Sequence, residues 1–513
     1  MGKATESMVR MRVAKPIAIA YILGLLSATG PRFIKVLLLL GNRKLSLQAA
    51  WLQSRNILLK AVEYNRFPAF CGVLIGGSTL LQVPIKALII ALLRVVRSPN
   101  TVFDGFLARR LARFIATIVS ASVAFRLLNS TSLEVVTPNR YGIPQPLNHL
   151  QSMKPRPFED PPEWVYRDGV DDRLMPASSV PSHELAGRTM DLTLFSVVRA
   201  LDIVVSSVWN RLAPQKSSQL HTIARSTPVT LFSFSAATIM YAWFYSPSRL
   251  PQAYNTWISA AAELDHRLIL ALRHARYGTW VYGRDTGMAP LLGSMCRDHG
   301  LPVELGDPAR TCPIPCEVVH MGWSKSCEKH ALIRFCKGWV FAAKMYAPIQ
   351  VFVLARHIRA ASRPGSRFAG LSRAVLLRAL VDMTRSSAFL GTFIAFFYYG
   401  VCLSRTRLGP TIFSNKTVTP QMWDSGLCVL VGCLLCGSSL LVEQSKKRLE
   451  IVLFVLPRAA ATWFPRRYLP EHRWKEHVAF TLSAAVLLTT AQEDSTRVRG
   501  MLGSVLHGIM KTD

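Results

Sequence analysis

Apolar residues in this chain run in long blocks separated by short basic stretches, a pattern that predicts helices set in lipid more than half-polar helices on a soluble core. Pro16 to Ala28 and Phe33 to Leu40 are apolar but shorter than the ~20 residues a span needs, so they predict a tilted or re-entrant segment or an amphipathic lead-in. Trp51 to Glu63 reads as an amphipathic helix lying at an interface, with bases along one face. Ala69 to Leu93 is the first full span; Pro84 is expected to kink it, and Gly72-x-x-x-Gly76-Gly77 would let a second backbone come close. Leu111 to Leu128 is the next. Residues 129–189 then turn polar and proline-rich, a composition that cannot bury a core and predicts a largely disordered insert.

The pattern resumes at Leu192 to Val208, where Arg199 and Asp202 stand three apart on one helical face. Ionisable groups are costly in lipid, so these two predict either a structural couple or the lining of a polar path. Pro228 to Tyr245 is an uncharged span, Thr256 to Trp280 an amphipathic helix, and Gly338 to Ala355 a span containing Lys344 and Pro348. Ala388 to Leu403, Gly426 to Val442, Ile451 to Phe464 and Val478 to Thr490 complete the series, giving about seven to ten membrane segments. Gly283-R-D-T-Gly287 reads as a turn.

Two stretches recur in the same order. Arg55 to Ala61 followed by Arg66 to Gly72 resembles Arg373 to Ala379 followed by Arg385 to Gly391. Asp191 to Ala200 resembles Glu450 to Ala459 with identical internal spacing, which makes Arg199 and Arg458 equivalent positions. The expected fold is therefore all-α: a multi-pass membrane helical bundle of two related halves joined by a Cys/His-rich segment. The expected divisions are a basic N-terminal region 1–68, a first half 69–311, the joining segment 312–337 and a second half 338–513.

Composition supports a bilayer as solvent: half of the 513 residues are hydrophobic and 18% are charged. Lys and Arg number 61 against 30 Asp and Glu, yet they cluster at the ends of apolar runs. There they suit phosphate headgroups and loop orientation, so nucleic acid is not an expected partner. The first 62 residues hold one acid, Glu6, which is like a mitochondrial targeting region in charge, while Pro16 to Ala28 suits a first membrane segment or signal anchor.

Ten cysteines are too scattered for a disulfide scaffold; Cys402, Cys428, Cys433 and Cys436 lie in apolar runs and read as small packing residues. The dense cluster is Cys312-x3-Cys316-x3-His320-x6-Cys327-x2-His330. Its ligand types are those zinc prefers, so a structural zinc ion is one reading. Disulfides and reduced cysteines packed at a membrane surface are the others, because the spacing matches no standard finger. Pro313 and Pro315 argue against helix before Cys316, and Trp323 to Ser326 suggest a turn.

Cys316-x3-His320, Ser326-Cys327 and then Lys344-x-Tyr346-Ala347-Pro348 resemble the cysteine-rich region of the transmembrane protein 135 family. Ala388 to Phe393 and the Gly426 to Val442 span resemble that family's later helices, and the glycine-containing helices are distantly similar to the mitochondrial inner-membrane translocase superfamily. The resemblance implies a peroxisomal or mitochondrial membrane protein tied to lipid handling and organelle dynamics, without established catalysis. Expected partners are the lipid bilayer, further copies of the chain and other organellar membrane proteins.

No Ser-His-Asp order, phosphate-cradling glycine loop or dinucleotide fingerprint is present, so the expectation is a non-enzymatic protein moving lipids or metabolites or shaping an organelle. One alternative is a pore or translocase subunit whose polar path uses Arg199, Asp202, Lys344 and Arg458. The other is a membrane-embedded metal-dependent enzyme centred on Cys316, His320 and Cys327.

Overall fold

The computed structural model describes residues 2–96, 105–130, 134–135, 157–158, 184–212, 218–361, 373–414, 416–464, 466, 468 and 470–510. In chain order the main helices are α1 (Gly2–Gly41), α2 (Leu47–Val62), α3 (Phe67–Leu80), α4 (Gln82–Val96), α5 (Gly105–Leu128), α6 (Met190–Leu212), α7 (Ser218–Tyr245) and α8 (Gln252–Ala262). They continue as α9 (His266–Tyr277), α10 (Ala289–Asp298), α11 (Cys316–Val319), α12 (Cys327–Ala361), α13 (Arg373–Thr406), α14 (Cys428–Cys436), α15 (Ser445–Ala461), α16 (Arg473–Glu493) and α17 (Gly500–Met510). Strand is confined, among the described residues, to the two-residue pair Glu134–Val135 and Glu184–Leu185 and one isolated bridge, Ala186 to Tyr468. Most of the insert expected over 129–189 lies outside the described residues. The all-helical expectation holds.

Among the described residues, seven stretches are long and apolar enough to cross a membrane: Ala14–Gly41, Leu47–Leu92, Gly105–Leu128, Met190–Arg211, Cys327–Arg356, Arg373–Thr406 and Pro420–Val442. The two short apolar runs before residue 41 are parts of one helix, α1, which passes through Pro16 and Pro31. The span expected over Ala69 to Leu93 breaks into α3 and α4 at Leu81, three residues before Pro84. Pro84 has no N–H to offer the carbonyl of Leu80, so the ladder lapses there. Thr256 to Trp280 is likewise two helices. Glu263 adopts the left-handed conformation and ends α8, and Asp265 accepts from the Arg267 amide to start α9.

The chain forms two compact units, Met1–Val136 with Ser182–Lys216 and Arg466–Asp513, and Thr137–Pro181 with Ser217–Pro465. This division does not follow the boundaries read from the chain order: α6, α16 and α17 belong with the N-terminal helices, and 312–337 lies inside the second unit. In the first unit α16 packs between α5 and α6. Buried Glu476 on α16 accepts hydrogen bonds from Thr189 (2.5 Å), Thr193 (3.0 Å) and the Tyr468 hydroxyl. The close approach expected of Gly77 is real: a Cβ there would sit 2.5 Å from Ser120 Oγ, which donates instead to the carbonyls of Val73 and Leu74.

In the second unit the antiparallel pair α12 and α13 forms the most extensive helix contact, α14 packs on α13 and α7, and α15 on α7. Between α7 and α12 the chain builds a small cap with its own core, in which Leu291, Leu292, Met295 and Val318 are fully buried. The α12–α13 contact depends on glycine. A Cβ on Gly338 would lie 3.1 Å from the Gly391 Cα, and one on Gly391 would lie 2.8 Å from the Phe335 carbonyl oxygen. Neither neighbour can yield, since both are backbone.

Gly391→Val is expected to cost about 1–3 kcal/mol through overpacking. Gly508→Ala on α17, where a Cβ meets open space, should instead gain about 0.5–1 kcal/mol from helix propensity. Denaturant midpoints of the two purified variants in detergent check the opposite signs.

Candidate metal centre

Residues 312–330 are shaped by proline, then by a left-handed turn. Pro315 starts the single helical turn α11, and the His320 amide closes it on the Cys316 carbonyl at 2.7 Å. That i to i+4 relation puts the Cys316 and His320 side chains on one face. Met321 and Gly322, both at positive φ (54° and 72°), then reverse the chain. Ser326 caps α12: its Oγ accepts from the Lys329 amide at 3.3 Å, which leaves Cys327 as the first residue of that helix.

The result is a cluster. The ligand atoms of Cys316, His320 and Cys327 lie within 4.8 Å of one another, a group that could hold a metal ion. His320 is fully buried, and its Nδ1 lies 2.7 Å from the Ser324 carbonyl. A carbonyl only accepts, so Nδ1 carries the proton and Nε2 presents a lone pair. Burial holds the imidazole pKa below its ordinary value, which keeps the ring neutral. Metal-bound histidines are oriented by this same kind of bond from the far nitrogen.

A fourth donor arrives from α13. Cys402, buried, has its Sγ 3.2 Å from His320 Nε2, beside the Cys316 and Cys327 thiols. The neighbouring Cys402 thiol, helped by the charge of Arg405, brings the Cys316 thiol down to about 6. All ten cysteines are free thiols, so the disulfide reading is not the one this structure adopts.

Two cysteine-histidine residues singled out by spacing stand apart from the donors. Cys312 is exposed and outside the cluster. His330 is buried one turn along α12, stacked on His320 with ring centroids 4.2 Å apart, and accepts from Arg334 at Nε2 (3.4 Å). Tyr398 meets His330 edge-on, Arg334 lies over Tyr398, and both donate to the Ala262 carbonyl at the end of α8. His330 thus belongs to an aromatic wall behind the cluster.

On the other side Arg405 and Asp424 form an ion pair of 2.6 Å with side chains 3% and 0% exposed. Arg405 Nε is poorly aligned for a hydrogen bond to that oxygen, and Nη2 supplies the directed bonds, to Asp424 (3.0 Å) and the Ile314 carbonyl (2.7 Å). Tyr282 donates to Asp424 and accepts from the Ile314 amide at 3.1 Å. Both backbone groups of Ile314 are therefore held, two residues before Cys316.

The remaining sequence-derived positions are dispersed. Ser326 is the cap, whereas Lys344, Tyr346, Ala347 and Pro348 lie well inside α12, with Lys344 and Pro348 exposed. Asp202 takes an ion-pair partner from outside its own helix, Arg499 at 3.2 Å, and Arg199 donates to the Arg499 carbonyl at 3.4 Å. Arg199 lies over Phe195 and Arg458 over Phe454, in each case the ring four residues earlier, so the two similar stretches share this local geometry. The two acids nearest in sequence to the donors face outward, Glu317 to Lys325 (3.7 Å) and Glu328 to Arg407 (2.5 Å). Sequence reasoning did not place Cys402, Tyr282, Arg405 or Asp424 at the site. No protein-family profile, curated protein or solved structure matches the chain.

Asp424→Ala leaves Arg405 buried without its counter-charge and is expected to cost about 3–5 kcal/mol, while the paired apolar replacement Asp424→Leu with Arg405→Met should recover most of it. Chemical unfolding in detergent, followed by tryptophan fluorescence, checks the order of the variants.

Proposed function

We propose that the chain is a multi-pass integral membrane protein without catalytic activity, acting in lipid or metabolite handling or in the shaping of a peroxisomal or mitochondrial membrane. The observation that carries the membrane part is apolar surface left uncovered. Only 11% of the most apolar window of Cys327–Arg356 is buried, and 17% of that in Ala14–Gly41. Leu26, Leu37, Ile349 and Phe352 are each more than half exposed. Monomeric soluble proteins seldom carry contiguous apolar surface on that scale, and helices satisfy their backbone groups internally, as lipid requires.

The organelle and the lipid-related role rest on the resemblance carried by Cys316, His320, Ser326, Cys327 and Lys344 to Pro348. Against the pore reading, Lys344 is exposed on α12 and Arg458 stacks on its own helix. Against the enzyme reading, Cys402 stands against His320 Nε2 beside the three clustered donors, and the neighbouring carboxylates point away from it.

Alkaline carbonate extraction of cells expressing the chain tagged at both ends, with selective permeabilisation, should leave it in the membrane pellet and place both tags on organelles bearing peroxisomal or mitochondrial markers. Release into the supernatant sinks the membrane reading; retention in another membrane sinks only the organelle. A second check is Ile349→Arg, which should cost about 3–4 kcal/mol in a translocon insertion assay if that face meets lipid, and within about 0.5 kcal/mol if it meets water.

A further inference from the structure

Three elements of the second unit converge on one point. Cys316 and His320 come from the turn α11, Cys327 from the first turn of α12, and Cys402 from the last turns of α13. We propose that these four residues form a closed Cys3His site for a structural zinc ion, which fastens the cap to the helix pair beneath it. This goes beyond the membrane reading and does not depend on it.

The donor chemistry is selective. Three sulfurs and an imidazole, with no carboxylate among them, suit zinc and exclude the hard cations that need oxygen ligands. A tetrahedral ion about 2.3 Å from each sulfur sets neighbouring donors roughly 3.5–3.8 Å apart. The observed spacing, 3.2 Å for His320 Nε2 to Cys402 Sγ and at most 4.8 Å among the other three, is already close to that. The imidazole is in the correct tautomer, with Nδ1 committed to Ser324 and Nε2 turned inward.

Closure also follows from geometry. Structural zinc sites fill four positions from protein, whereas catalytic ones keep one for water. Here the fourth position is supplied by Cys402 from a buried helix face, and the stacked His330 and Tyr398 stand behind His320. The ion would therefore act by joining segments 75 residues apart in the chain, Cys327 and Cys402, and by tying both to the cap.

Full-length protein purified in detergent without added metal should contain about one zinc per chain, with a zinc-edge X-ray absorption spectrum fitted by three sulfurs at about 2.3 Å and one nitrogen at about 2.0–2.1 Å. Cys402→Ser should lose most of the zinc, or retain it with two sulfurs. Cys312→Ser and His330→Phe should keep zinc content and sulfur number unchanged. Absence of zinc from the wild type, a two-sulfur fit to it, an unaltered Cys402→Ser spectrum, zinc loss in Cys312→Ser, or a mapped disulfide among Cys316, Cys327 and Cys402 each overturn the proposal. Should Cys402→Ser fail to fold, the wild-type sulfur count alone decides, because three sulfurs require a cysteine beyond Cys316 and Cys327.

Discussion

The site depends on how closely α12 and α13 approach. At Gly338 and Gly391 their backbones meet with no room for a side chain on either partner. Cys327 lies eleven residues before Gly338, and Cys402 eleven after Gly391. Eleven residues make about three helical turns, so in an antiparallel pair both cysteines return to the contact face at the same end. His330 and Tyr398 meet on the way there. The glycine crossing thus sets the register that brings two distant thiols within reach of each other, and a bulkier residue at that crossing would move both.

The cap is held against that end by charge as much as by apolar packing. Arg405, one turn beyond Cys402, carries its buried charge to Asp424 and its remaining donor capacity to Ile314. A buried pair of this kind adds little net stability, since desolvation offsets most of the attraction. What it supplies is position: a buried guanidinium has few ways to satisfy its donors, and the carbonyl of Ile314 is one of them. Cys316 follows two residues later. The ion pair and the donor cluster are two fastenings on one segment, and each restricts where the other can form.

Legibility from the chain followed sequence distance. Long apolar blocks announced the helices, because hydropathy is local, and Cys316, His320 and Cys327 announced themselves by lying within twelve residues. Cys402 carries no such signal. It sits in an apolar run where a small residue is ordinarily a packing residue, and only the register of two helices turns it towards His320. His330 is as close in sequence to the donors, yet it stacks on His320 and its Nε2 accepts from Arg334. Arg405 lies at the end of an apolar run, where snorkelling to an interface is the simpler expectation for a base, and Asp424 is 19 residues further along the chain. Helix breaks were similarly hidden: the left-handed Glu263 divides an amphipathic stretch that hydropathy alone reads as continuous.

The similarly spaced Phe195 to Arg199 and Phe454 to Arg458 pairs show what a short sequence likeness does and does not carry. In both, a guanidinium covers the ring one turn earlier, since residues four apart share a helix face and a cation is attracted to an aromatic face. Beyond that turn the surroundings diverge. Arg199 is buried and reaches the carbonyl of Arg499, whereas Arg458 is half-buried, returns to the carbonyl of Phe454 and lies near Tyr254. A helical motif specifies its own face and leaves the opposing one to whatever packs there. The donor cluster is not carried by any one such motif for the same reason: it needs a turn, a helix start and a helix end from three separate places. Among the described residues such a convergence arises once, and that is why the cap between α7 and α12, more than the apolar helices around it, is where this chain differs from a generic bundle.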